Sequence, residues 1–167
     1  SITGVANIST GLLHEHYLQV FVQNYSAGMS MFVEEVTTPF APGDSIVAHG
    51  RIQRYSGLAE VSVDYYRVYP NAGRLPAPKP LKRAVAHPQK YLGMLVEGSG
   101  TIIEKGSTFN GRYVRLSPSD TSGASMMVYV SNFHHLSKEF DFDVLSIGDE
   151  ISVTGIVTEY NPEYPEK

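Results

Sequence analysis

The chain has no cysteine and no tryptophan. Without cysteine it can form no disulfide, thiol nucleophile or thiolate metal site, although that absence leaves the compartment open. Charged residues are sparse at 18%, against 42% hydrophobic ones, the balance of an ordinary folded chain. No apolar run approaches the roughly 18 residues of a membrane helix. The short phrases that mark common active sites are missing too. There is no Gly-x-Ser-x-Gly elbow, Gly98-Ser99-Gly100 lacks the flanking pattern, and no Gly-Lys-Ser or Gly-Lys-Thr follows a glycine-rich turn. The expectation is a protein that is not an enzyme and carries no cofactor.

What the chain does have is one phrase written twice. PGDSIVAHGRIQRYSG begins at Pro42 and IGDEISVTGIVTEYNP at Ile147, so that Gly43, Asp44, Ile46, Gly50 and Tyr55 meet Gly148, Asp149, Ile151, Gly155 and Tyr160 at a constant offset of 105 residues. Each copy opens on a Gly-Asp turn and then alternates apolar and other residues across a central glycine. That pattern suits a strand bent sharply between two faces. Two copies in 167 residues point to two small β domains.

Strands are expected at both ends of residues 5–23, at Met29 to Val36, Asp44 to Tyr55 and Leu58 to Val68. In the second half they are expected at Met94 to Lys105, Arg112 to Leu116, Ser125 to Val130 and the Gly148 phrase. Five prolines with Lys79, Lys82 and Arg83 between Pro70 and Pro88 favour a stiff extended connection over a helix. Phe133, Leu136 and Phe140, at i, i+3, i+7, suggest a short amphipathic helix. The fold class expected is all-β: two tandem five-stranded OB barrels, residues 1–77 and 89–167, joined by a Pro-rich linker at 78–88. The second carries a short helix and an incomplete last strand. Ser1 starts directly in strand-like sequence and the second repeat stops soon after Tyr160, so the chain is expected to be a piece of a longer protein.

Leu18 to Gln23, Met29 to Val33 and Gly43 to Tyr55, then the Pro-rich connector and Tyr91 to Val96, resemble the tandem OB-fold extracytoplasmic regions of bacterial sensor histidine kinases. Similar phrases occur in OB domains attached to secreted nucleases. The resemblance covers nearly the whole chain and implies a shape more than a ligand. It implies a periplasmic or secreted location within a larger protein, either membrane-anchored or free.

Aromatic residues carry the binding hypothesis. By alternation Phe21 and Phe32 point away from the barrel interior on strands two and three, the face on which OB folds stack bases or sugars. Tyr25, Tyr55 and Arg54 would extend that platform, and Tyr113, Arg115, Met127 and Tyr129 occupy comparable positions in the second half. The alternative is that these rings fill the core or the contact between domains. His14-Glu15-His16 places two imidazoles on one side of a strand, short of the three or four ligands of a zinc site, so no metal is expected. His134-His135 is weaker, because adjacent residues point apart.

Charge separates the ligand classes. Residues 1–88 hold 7 Lys and Arg against 6 Asp and Glu, whereas residues 89–167 hold 6 against 11. An acidic second half contributes little to phosphate binding. The preferred reading is a sensory, ligand-binding or protein-interaction module for a small molecule, glycan or protein. Its competitor is an accessory single-strand nucleic-acid binder attached to a nuclease.

Overall fold

The computed structural model describes residues 1–8, 18–24, 26–34, 38–119, 123–132 and 141–159, with backbone alone at 18–20. The first half is a closed barrel of five strands: β1 (Ile2–Ala6), β2 (Leu18–Gln23), β3 (Gly28–Val33), β4 (Ser45–Tyr55) and β5 (Leu58–Tyr69), in the order β1-β2-β3-β5-β4. β3 and β5 run parallel and the other neighbours antiparallel, with β1 closing on β4. This strand order is that of an OB barrel. Its core gathers Val22, Met31, Ile46 and Ala48, apolar members of the alternating strands, with Phe40 from the segment between β3 and β4.

The duplicated phrase folds the same way in both halves. Gly43 and Gly148 take φ of 95° and 97°, a conformation glycine adopts without strain. Asp44 Oδ2 accepts from the Ala41 N–H at 3.0 Å and Asp149 Oδ2 from the Ser146 N–H at 2.9 Å. The Ala6 N–H donates to the Asp44 carbonyl, and the Ile102 N–H donates equivalently to the Asp149 carbonyl. The turn locks the fourth strand onto the first strand of its own half.

The halves then diverge. Beyond the two-residue β6 (Lys79–Pro80), the second sheet contains β7 (Leu95–Thr108), β8 (Gly111–Ser117), β9 (Met126–Ser131) and β10 (Glu150–Ile156) in the order β10-β7-β8-β9. These four correspond to strands four, one, two and three of the barrel. Among the described residues no fifth strand joins β9 to β10, so the second sheet is not closed as the first is, and the expected second barrel, with its incomplete last strand, is seen only as this four-strand path with β6 beside it. The same difference separates the paired glycines. At Gly50 the β4–β5 register shifts and Ser62 packs against the α-carbon, whereas Gly155 has open space beside it and an unbroken register.

The linker also departs from expectation. Residues 81–86 form a helix, α1 (Leu81–Ala86), followed by a 3-10 turn at Pro88–Tyr91. The prolines lie before and after the helical turn, not inside it, and Pro80 at its start has the extended backbone that tolerates proline. Leu81, Ala84 and Val85, on one helical face, join Val96, Ile102, Val114, Leu116 and Phe142 in the second core. The apolar spacing within the connector therefore outweighs its proline content. The helix expected around Phe133 to Phe140 lies outside the described residues.

Candidate functional site

The outer face of β2–β3 is not open. Alternation places Phe21, Gln23 and Ser30 outside the barrel core, as expected, but they are 1%, 2% and 1% exposed. At the end of this face Gly28 meets Gly93 so closely that a Cβ on Gly28 would lie 2.3 Å from the Gly93 carbonyl carbon. Gln23 Oε1 accepts from the Leu95 N–H at 3.0 Å and from Asn7 Nδ2 at 2.9 Å, while Asn7 Nδ2 also donates to the Gly93 carbonyl. The face therefore forms the junction between the halves. This corrects the expectation that Phe21 offers an exposed stacking surface.

The other members of the expected first platform do not converge. Phe32 is half-buried opposite Ser62, and Tyr55 is exposed at the hairpin end opposite Leu58. Those partners are four positions apart on β5, about 13 Å at strand rise. Arg54 reaches the Gly57 carbonyl in the same hairpin at 3.5 Å. Tyr25, His14, Glu15, His16 and His134-His135 lie outside the described residues. Among the described residues no group of three or more His, Cys, Asp or Glu side chains could hold a metal ion.

In the second half the expected residues do come together. Tyr113 lies directly across from Tyr129, and Arg115 across from Met127, on the outer face of β8–β9. Each ring lies over a glycine: a Cβ on Gly106 would be 2.7 Å from the Tyr113 hydroxyl, and one on Gly111 2.5 Å from Tyr129 Cζ. The glycines leave room for the rings to lie along the sheet. Tyr113 donates to Glu104 Oε1 at 2.9 Å, Arg115 Nε lies 3.4 Å from Glu104 Oε2, and the Tyr129 hydroxyl is 3.3 Å from Thr108 Oγ1. The Glu104 carboxylate, through that hydrogen bond and then its charge, raises the Tyr113 pKa above the usual phenol value, so the ring stays neutral at physiological pH.

These links fix the side chains without removing them from solvent. Met127 and Tyr129 are 41% and 38% exposed, and Phe109, at the adjacent β7–β8 turn, is 96% exposed. The neighbouring cations are engaged. Arg112 bonds Asp143 at 2.7 Å and stands over the Phe142 ring, and Lys105 donates to the Leu145 carbonyl. Arg112 holds the Asp143 carboxyl below its usual pKa. The outer face thus presents two tyrosines and a methionine beside the Arg115 guanidinium, which is paired with Glu104, while Arg112 lies on the opposite side of β8 over Phe142.

No family model matches the chain, and no curated protein does. Among solved structures, the chain is similar to the tetrameric p202 HIN2 over 94% of its length and 91% of that chain, with 13% identity and a TM-score of 0.41. A second, described as "Structural mimicry for functional antagonism", overlaps 89% of this chain and 78% of that one at 12% identity and a TM-score of 0.39. Likenesses this slight carry no functional argument. The OB assignment of the first barrel rests on its own strand order.

Glu104, Thr108 and Phe109 were not singled out in the sequence; strict alternation would put Glu104 on the core face of Ile102, and the bulge between Ile102 and Glu104 turns it to the outer face opposite Arg115. Asn7 and Gln23 were missed as junction residues. Their signal was faint: a polar side chain at the end of an otherwise apolar strand.

Proposed function

We propose that this chain is a non-enzymatic OB-type binding module of a larger extracytoplasmic bacterial protein, and that it recognises a polypeptide ligand on the outer face of β8–β9. The observation that carries the reading is the cross-strand pair Tyr113–Tyr129 with Met127 and Arg115. Tyrosine, methionine and arginine are the residue types enriched at protein interfaces. The rings are held by their glycines and hydrogen bonds, so little side-chain freedom is lost on binding. The first barrel's equivalent face is taken up by the junction, which leaves the second as the open one. The extracytoplasmic placement and sensory role rest on the resemblance of the OB phrases.

Selection of a displayed peptide library on the wild-type chain, with Tyr113→Ala and Tyr129→Ala as comparison targets, tests the reading. Residues of this kind are expected to contribute about 2 kcal/mol or more, roughly a thirtyfold change in affinity. Peptides that bind the Ala variants as tightly as wild type would refute it.

A second reading draws on the β4–β5 hairpin, where Arg51, Arg54 and Arg67 accompany the exposed Tyr55 and Tyr65. That basic, aromatic ribbon suits single-stranded nucleic acid. Anisotropy of a labelled oligonucleotide at low and moderate salt separates the two, since phosphate contacts weaken steeply with salt.

A further inference from the structure

The two halves share four strands in matching register. Through these ladders Ile46 and Ala48 of β4 correspond to Ile151 and Val153 of β10, and Met31 of β3 corresponds to Val128 of β9. Ile46, Ala48 and Met31 are 1%, 0% and 0% exposed. Ile151, Val153 and Val128 pack against the second core yet are only half-buried. These three more open residues lie on the two strands between which the first half inserts β5.

In the first half β5 completes the burial. It runs antiparallel to β4 and parallel to β3, with Val68 opposite Ile46, Tyr66 opposite Ala48 and Val61 opposite Met31. Among the described residues no strand joins the corresponding edges of β9 and β10. The edge of a strand presents backbone N–H and C=O groups on which another strand can form. Half-open apolar side chains along both edges, with the direction and spacing that β5 supplies, specify an occupant. It is an extended segment matching Val61 to Val68, with apolar side chains on one face.

We infer that a partner protein supplies this segment, which enters antiparallel to β10 and parallel to β9 and closes the second half into a barrel. The inference rests on the proposed function for the ligand being a polypeptide, and adds how that ligand binds. Main-chain hydrogen bonds to the two edges give affinity, and alternate apolar side chains beside Ile151, Val153 and Val128 give specificity. The remaining side chains of the segment point outward and continue the face that carries Met127 and Tyr129.

Amide hydrogen exchange of the full chain, alone and with a synthetic peptide of residues 58–69 carrying Tyr66→Val, tests the proposal. Valine replaces the tyrosine because Val153 stands where the smaller Ala48 faces Tyr66. In the free chain the amides of β9 and β10 are expected to exchange faster than those of β3 and β4, and to slow by about tenfold or more with the peptide bound. A peptide N-methylated at alternate residues keeps its side chains but loses the N–H groups that face one edge. It is expected to bind at least about tenfold more weakly. Protection of β9 and β10 in the free chain equal to that of β3 and β4, the result if this chain already fills the gap, would overturn the proposal. So would protection that rises with protein concentration alone, the mark of a second copy in the gap. Failure of the peptide to bind at millimolar concentration, or binding that N-methylation leaves unchanged, would overturn it as well. Equal slowing in Tyr113→Ala would support the strand mode without the tyrosine face. Library peptides that need the tyrosines yet leave β9 and β10 exchange unchanged would sink the strand mode alone.

Discussion

Gly50 and Gly155 occupy the same place in the repeated phrase, yet the structure assigns them opposite sensitivities to a single methyl group. A Cβ at Gly50 would lie 2.0 Å from the Ser62 carbonyl oxygen and 2.9 Å from Val63 Cα. Comfortable separations are about 3.5–4.0 Å, so β4 and β5 would have to part by about 1.5 Å at the bulge. The obstacle is backbone, which has no rotamer to change. Overpacking of this kind costs about 1–3 kcal/mol, and the rigid neighbour argues for the upper end. In a chain of this size each kcal/mol lowers the melting temperature by about 2–4 °C, so Gly50→Ala should lose about 6–12 °C. At Gly155 nothing lies within 4 Å and the backbone is not in the left-handed region. Gly155→Ala should therefore be neutral, or stabilising by about 0.4–1 kcal/mol through the less flexible unfolded chain. Circular dichroism melts of both variants, backed by urea titrations, decide the matter. Equal losses would show that the second half is closed around Gly155 as the first is around Gly50, and the reasoning from an open sheet would fail.

Two further outcomes follow from the packing and the turns. Leu81, 4% exposed and in the second core, should lose about 2–5 kcal/mol on replacement by alanine, read by urea unfolding. A loss below about 0.5 kcal/mol would mean that α1 is a surface connector after all. Asp44 accepts from the backbone N–H groups of Asn71 and Ala41, which lower its carboxyl pKa below the ordinary value. Its contribution is therefore complete above about pH 4 and is lost as pH falls through the lower folded-state value. Asp44→Asn should melt below wild type at neutral pH, with the gap closing in acid. A gap independent of pH would refute that account.

The turns and strands of this protein were legible because they depend on local chemistry. A Gly-Asp pair fixes its own turn, and period-two alternation sorts Val22, Met31 and Ile46 inward wherever the strand is placed. The same alternation brought Tyr113, Arg115, Met127 and Tyr129 to one face, because cross-strand neighbours follow once the hairpin partners are known. Two things were beyond local reading. Phe21 points outward as its strand predicts, but its burial depends on a junction that Gly28 and Gly93 make across the length of the chain. The partial exposure of Ile151, Val153 and Val128 likewise depends on which strands lie beside them and not on their own alternation. Sequence set the faces of each strand through backbone geometry. Tertiary packing decided which face stayed open to a ligand, since exposure depends on what covers a surface and not on the strand that presents it.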